Sequence, residues 1–487
     1  MTTDVDAYID KVIRRGDLGS RLLAARCAST LKNSPHVQVL HGATQELAVL
    51  RIPDDYDVVV HSASGSPRER ERGIHAKTLV AKLCAQAQRI GAIPLGFANV
   101  IDSCTGDLQM LEEIVGGLVE ASHTHGVAIL NGENAILGDR VADVNVSGTM
   151  ISMIPKDNFI GSPRWVFTQD GTWYARFNPK GKPIFINADG VGTKTEFYER
   201  LGKPEGALND FLAMNLDDAI KLGATAQVVS GVVETRGALD MQRLRDHAQH
   251  FAVRLGIPII LEHEEVGHRV NSFRSQFAHP FIYNLSGAVV STIDETYLQH
   301  PLQPKADQYL VAIRGKQNPR SNGITDKRKI MQQLFGEDWH MTPEGKVFLE
   351  YLAEPSTILY DIFQCLIHEG LATSVYHMSG GAFNGKLARP FAQHDLFVRL
   401  NNLFKPDWRE FTLAGAGFYT AEEAYAKWPM GNDGFVTTAR PLETMEKITR
   451  SGLQASLVGQ LEQAVNGKTG VELEARPGKI VYFSGRD

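Results

Sequence analysis

Cysteine is scarce in this chain, long apolar runs are missing, and positive charge is in deficit. The 4 cysteines, Cys27, Cys84, Cys104 and Cys365, form no Cys-x-x-Cys pair and no spacing suited to zinc. A disulfide framework and a thiolate metal site are therefore excluded as organising features, and the thiols are expected to be reduced and packed in cores. No stretch of about 18 apolar residues occurs, and the N-terminal MTTDVDAYIDKVIRRGD carries charge where a signal peptide is apolar. The expectation is a cytoplasmic protein with no membrane partner. Lys and Arg number 50 against 56 Asp and Glu, a formal net charge of -6. That balance argues against a nucleic-acid partner, because phosphate backbones are bound by clustered basic residues; a small, phosphorylated metabolite is the expected ligand. The one basic run, Arg68 to Arg72, alternates with glutamates as a solvated loop or helix start does.

What the chain does have is length and repetition. Its 487 residues, 43% of them hydrophobic, provide for two or three cores. Two segments share one grammar. From Arg89 the order is RIGAIPLGFANVIDSCTGD, LQMLEEIVGGLVEASHTH, GVAILNGENAILG and VNVSGTMISMI; from Lys221 it is KLGATAQVVSGVVETRGALD, MQRLRDHAQHFAVRL, GIPIILEHEEVG and YNLSGAVVSTI. Gly91 then pairs with Gly223, Gly126 with Gly256 and Ser147 with Ser286. Apolar runs of four to six residues read as buried strands, and the intervening stretches carry helical spacing. Each copy reads as helix, strand, helix, strand, strand, with YDVVVHSAS and PIFINADGVG as the matching first strands. Residues 157–181 read as a connector, the first fifty residues as one or two helices and a hairpin, and HPLQPKADQ as the linker to a third domain that starts at YLVAIRG. The expected domains are 1–156, 157–300 and 301–487.

Chemistry concentrates in a few turns. DGVGTK, Asp189 to Lys194, directly follows an apolar strand. Gly190 and Gly192 let the backbone approach an anion, Thr193 and Lys194 can hold a phosphate chain, and Asp189 can take magnesium. The spacing is not that of a Walker loop, and a plain strand-to-helix turn is the simpler account. In the following helix, Asp217 and Asp218 read either as a surface face or as magnesium ligands. In the first copy, Gly132 and Glu133 end a strand where α/β ligands usually sit; the second copy has Glu262, His263 and Glu264 there. Conversely, the first copy has HSASGSPRER in place of DGVGTK and Gln86 in place of Asp218. Each copy keeps what the other lacks, which suggests a pseudo-dimer sharing one site built from Asp189, Lys194, Asp218 and Glu133. In the third domain, PRSNG (Ser321, Asn322, Gly323) and HMSGGAFN (His377, Gly380, Gly381) could seat a phosphate through amides and hydroxyls, although turn chemistry alone explains such glycines and His377 could be a buried structural residue. His123 and His125 close a helix and read as exposed, with no metal role.

The motif order DGVGTK, AMNLDDAIKLGA, PRSNG, AEPSTILYD, HMSGGAFN and MGNDGF resembles the phosphoribosylformylglycinamidine cyclo-ligase, or aminoimidazole ribonucleotide synthetase, family from about Lys182 to Leu457. The resemblance implies an α/β (α+β) fold: two tandem synthetase N-terminal-type domains forming a pseudo-dimer, followed by one C-terminal-type domain. It implies an ATP- and magnesium-dependent closure of an imidazole ring on formylglycinamidine ribonucleotide through a phosphorylated amide, and homodimers among relatives. By analogy Asp189, Asp218 and Glu133 would hold magnesium; Gly190, Gly192, Thr193, Lys194, Gly132 and Glu133 would contact ATP. Asp189, Lys194, Asp218 and His377 would act in catalysis, and Ser321, Asn322, Gly323, Gly380 and Gly381 would bind substrate. The sequence departs from the family at NGENA, at EHEE, at Ile324 after SNG and at Ala382 after SGG. A superfamily kinase or another amide-activating enzyme, and a non-catalytic nucleotide-binding scaffold, are the alternatives.

Overall fold

A computed structural model describes residues 22–41, 46–65, 71–158, 164–267 and 281–486. Most of the Arg68 to Arg72 run lies outside the described residues. The chain forms two compact units: one holds the described residues up to Glu199 with 224–267 and 281–298, the other holds 200–223 and 299–486.

The first unit contains two six-stranded sheets. In one, β1 (Val37–His41), β2 (Glu46–Leu50), β9 (Ile184–Gly190), β12 (Phe281–Thr292), β10 (Thr225–Gly237) and β11 (Ile259–Glu265) follow in that spatial order. In the other the order is β7 (Arg164–Gln169), β8 (Thr172–Phe177), β3 (Tyr56–Ser64), β6 (Val144–Pro155), β4 (Ile93–Ser103) and β5 (Ala128–Ile136). The two orders correspond strand for strand, and β4–β5 and β10–β11 are the parallel pairs in each. The two predicted helices are present, Leu108–His125 and Met241–Leu255. Local chemistry sets their ends alike: Asp107 and Asp240 accept first-turn amides, while Gly126 and Gly256 terminate the helices at φ 66° and 64°.

The connector is not a linker. Its described part forms the hairpin β7–β8, and β8 pairs with β3 through Val58↔Phe177, Val59↔Arg176 and Val60↔Ala175. The earlier hairpin β1–β2 meets β9 at Leu50↔Ile184. Each hairpin thus precedes the first long strand of its own copy in sequence but completes the sheet of the other. Apolar alternation drives the sheets together: Val58, Val60, Ala98, Val100 and Ile151 from one sheet share a core with Ile184, Ile186, Val228, Ala288 and Val290 from the other. Full burial of each of these valines and isoleucines contributes about 1.5–3 kcal/mol. The opposite face of the first-copy sheet is covered by helices Arg72–Arg89 and Leu108–His125 through Leu79, Leu83, Ile114 and Leu118.

The second unit has a seven-stranded sheet, β14 (Ser374–His377), β16 (Gly434–Thr438), β13 (Tyr309–Arg314), β17 (Gln454–Gln463), β15 (Leu396–Leu400), β18 (Gly470–Arg476) and β19 (Lys479–Phe483). Helices include Gly206–Ala219, Ile324–Phe335, Tyr360–His368 and Pro441–Arg450. Among the described residues no helix is long and apolar enough to cross a membrane. Cys27 and Cys84 are buried free thiols, as expected, while Cys104 and Cys365 are free and half-buried.

Candidate active site

In the first unit, β9 delivers Asp189 and then breaks. Gly190 N donates to Asp189 Oδ1 at 2.7 Å, Val191 N donates to Leu285 O at 2.9 Å, and Gly192 takes φ 63°, where a side chain is costly. Residues Gly192–Lys194 form a single turn that runs into helix Thr195–Leu201. Thr193 and Lys194 are buried, with the Lys194 ammonium 5.9 Å from the centre of the Tyr198 ring.

The first copy supports this turn from β5 and the loop beyond it. Asn131 Nδ2 donates to Ile186 O at 3.0 Å, which joins β5 to β9. A Cβ on Gly192 would lie 3.1 Å from Leu137 Cδ2. Arg140, only 3% exposed, donates to Glu199 Oε2 and Oε1 at 3.0 and 2.6 Å and to Thr195 Oγ1 at 3.2 Å. Burial opposes the guanidinium charge, but Glu199 and Glu196 hold it well above its ordinary value. Gly132 serves packing, since the space a side chain would fill is taken by Leu23 and Asn99.

The corresponding positions of the opposite pair are filled by protein. Glu264 pairs with Lys82, Glu262 accepts from Trp173 N, His263 Nε2 bonds Thr235 Oγ1 at 2.8 Å, and Gln86 donates to Thr172 Oγ1 at 3.0 Å. The residues that replaced Glu133 and Asp218 therefore tie the two copies together.

The second unit gathers three loops around Arg320. This side chain is 2% exposed; it donates to Met378 O at 2.8 Å, Thr357 O at 3.0 Å and Asp217 Oδ2 at 3.1 Å, and its Nη2 lies 3.3 Å from His377 Nδ1. Asp217 also accepts from Leu359 N at 2.9 Å. The surface reading of Asp217 is thereby corrected: it is fully buried and fixes a loop. His377 Nε2 lies 2.8 Å from Asp218 Oδ1. Burial pushes the imidazole down to about 3, so it is neutral; the network assigns its proton to Nε2, leaving Nδ1 to accept from Arg320. Lys221 also pairs with Asp218, and Lys386 stands 3.6 Å from it. Burial opposes the Asp218 charge, but Lys221, Lys386 and His377 together hold this carboxylate well below its usual range. Two ammonium groups against one carboxylate leave positive charge in excess beside the HMSGG loop, which suits an anion.

Asn322 Nδ2 donates to Ser379 O at 2.7 Å, and Ser321 Oγ donates to Asp210 Oδ1 at 3.2 Å, so the two sequence-predicted loops are braced by side chains predicted to bind substrate. Gly381 has φ 82°, whereas Gly380 faces open space. Gly323 has φ 59°, and a Cβ there would fall within the indole of buried Trp428. Gly323→Ala is expected to destabilise the chain by about 2–4 kcal/mol, from overpacking and a left-handed Ala together, as read from the urea midpoint. An unchanged midpoint would show that Trp428 moves aside without cost.

Sequence reasoning missed Arg140, Arg320, Lys221 and Lys386. Lys221 had a usable signal, one helical turn beyond Asp218; the arginines had none, because their partners are distant in sequence.

Matched sheets with a glycine-bearing turn at the end of β9, together with a second unit built on a seven-stranded sheet, define an α/β protein. The family described as AIR synthase related protein, N-terminal domain, matches residues 44–154, which is the copy without DGVGTK. Phosphoribosylformylglycinamidine cyclo-ligase from Pyrococcus horikoshii is 25% identical over 226 residues, 46% of this chain and 63% of the relative. The enzyme of the same name from Streptococcus pneumoniae is 26% identical over 272 residues, 55% of this chain and 76% of the relative. Among solved structures, E. coli HypE aligns with a TM-score of 0.41 and 13% identity over 62% of this chain and 84% of its own. Residues 44–154 thus carry the AIR synthase related N-terminal domain, and the curated relatives support the aminoimidazole ribonucleotide synthetase superfamily.

Proposed function

We propose that the chain is an ATP-dependent ring-closing ligase of the phosphoribosylformylglycinamidine cyclo-ligase type. The observation that supports this reading is the joint in the first unit where Leu137 and Arg140 of one copy back the turn of the other and the helix that follows it. The backbone amide at Gly192, with Thr193 and Lys194, would receive the phosphate chain of ATP. Magnesium, when bound, would take the carboxylates of Asp189 and Glu133 and neutralise phosphate charge. Asp218 is removed from that ligand set, because it already accepts from His377 and pairs with Lys221 and Lys386. Among the described residues no group of three or more acidic, histidine or cysteine side chains is arranged to hold a metal. In the second unit, the excess charge at Lys221 and Lys386 and the SNG and SGG loops would take the phosphate of the ribonucleotide. His377 keeps its proton on Nε2 and positions Asp218. Catalysis on this scheme is mostly orientation and charge neutralisation.

The test is ATP hydrolysis with and without formylglycinamidine ribonucleotide, in the native chain and in Asp189→Asn. Turnover should rise with the ribonucleotide and fall about 100-fold or more in the variant. ATP turnover indifferent to the ribonucleotide would remove the ring-closing reading.

Ala382 favours a second reading, a superfamily kinase acting on another acceptor. It sits at φ 37° with its side chain buried, where the motif resemblance implies glycine, so the substrate end carries a methyl group that the resemblance does not imply. Isotope tracing separates the two: a kinase leaves the γ-phosphate on the product, whereas ring closure releases it.

A further inference from the structure

Asp102 on β4 and Glu234 on β10 occupy matching places in the two copies. Each stands directly opposite an asparagine on the neighbouring strand, Asp102↔Asn145 and Glu234↔Asn284. Directly opposed residues of an antiparallel pair present their side chains on one face, about 4.5–5.5 Å apart. That face is the seam between the sheets: two residues further along β6 and β12, Ser147 and Ser286 share a 2.7 Å hydrogen bond across it. Asn284 Nδ2 donates to Asp102 Oδ2 at 2.7 Å and to Glu234 Oε2 at 3.0 Å. One amide therefore gathers a carboxylate from each sheet.

All four side chains are nearly inaccessible, at 2% for Asp102, 0% for Glu234, 1% for Asn145 and 4% for Asn284. Asp102 Oδ1 and Glu234 Oε1 are buried with no hydrogen-bond partner among the described residues. Asn145 and Ser64 face Glu234 and lower it as donors, but Asn145 Nδ2, Asn145 Oδ1 and Ser64 Oγ all stand outside ordinary hydrogen-bonding geometry. The charges acting most strongly on the pair are negative: Glu234 and Asp189 on Asp102, and Glu264 on Glu234. Burial and these neighbours raise both carboxyls to about 7. Two converging buried carboxylates need a positive partner, and the unpartnered donors here are all oxygens apart from one amide nitrogen. An oxygen-only set with two carboxylates suits a hard divalent ion rather than zinc or copper.

We propose that Asp102 Oδ1, Glu234 Oε1 and Asn145 Oδ1 form a binding site for a hard divalent cation, of the magnesium, manganese or calcium class, which clamps the two sheets of the first unit together. The site uses none of the ligands assigned to the Asp189 turn, although Asp189 stands near enough to act on Asp102, and it stands whether or not the chain closes an imidazole ring.

The test uses the full chain, stripped with EDTA, without nucleotide and titrated with Mn²⁺, with the free ion read by electron paramagnetic resonance and the melting temperature followed in parallel. Saturable binding with a rise in Tm is expected in the native chain and in Asp189→Asn. In Asp102→Asn/Glu234→Gln affinity should fall at least tenfold and the Tm response should vanish, while Tm in EDTA at pH 8 stays at or above the native value because two buried charges are gone. Asn145→Leu should also weaken binding, and it carries the comparison if the double variant does not fold. Absence of nucleotide-free binding, or binding unchanged in the double variant, overturns the proposal. So does binding lost only in Asp189→Asn, which would assign the ion to the phosphate turn and leave the ATP reading intact.

Discussion

Replacing Arg320 by methionine is expected to lower the stability of the second unit by about 3–5 kcal/mol, the cost of leaving a buried charge without its partner. Asp217, at 0% exposure, would keep only the Leu359 amide, and the carbonyls of Met378 and Thr357 would lose their donor. The substitution roughly conserves volume, so the loss would be electrostatic rather than a cavity effect. Arg320→Lys should recover little, because one ammonium cannot span two carbonyls and a carboxylate in the geometry of a planar fork. The check is urea denaturation of the full chain, with Arg320→Met/Asp217→Leu as the companion variant. If the charge pair is the cause, the companion removes the orphaned carboxylate and regains more than half of the loss. A deficit below about 1 kcal/mol in the single variant would mean that water reaches Asp217 and that the three loops do not depend on this hub.

The contrast between Arg320 and its neighbours explains what could be read from the sequence. Repeated punctuation located the paired sheets because glycine and capping chemistry is local: Asp107 and Gly126 bound one helix just as Asp240 and Gly256 bound the other. The DGVGTK turn was legible for the same reason, since Gly192 has to be glycine at its φ of 63° with Leu137 packed above it. Pairing across the chain was not legible. Nothing in RWVFTQDGTWYARF says that this hairpin extends the sheet of the preceding copy; alternation fixes which side chains face the core, not which edge a strand joins. Asp217 and Asp218 are adjacent on one helix and look equivalent as letters, yet one is sealed against Arg320 and the other meets His377 and two lysines. Helical spacing cannot separate such neighbours when the partners that distinguish them, Arg320 and His377, lie more than a hundred residues away. Glu262 and Glu264, at the strand end that matches Glu133, contact Trp173 and Lys82 of the other sheet's half, and no sequence pattern announced those contacts.

Arg140→Met should produce the largest combined effect on stability and nucleotide binding. Arg140 belongs to the first copy, but its guanidinium holds Glu199 and Thr195 on the helix that follows the phosphate turn, and Thr195 Oγ1 in turn donates to Gly192 O at 3.0 Å. Glu199 is 1% exposed and retains only the Tyr283 amide when Arg140 is removed. The same reasoning as for Arg320 gives a loss of about 3–5 kcal/mol, now centred on the seam of the first unit. Because the chain of contacts ends on the turn itself, ATP affinity should fall at least tenfold, equivalent to about 1.4 kcal/mol. Arg140→Met/Glu199→Leu separates the two consequences. It removes the uncompensated carboxylate, so the urea midpoint should return toward the native value, whereas calorimetric titration with ATP should still show weakened binding because the brace on Thr195 is absent. Native ATP affinity in that double variant would mean that the turn holds its shape unaided and that the first copy serves only to stabilise the fold.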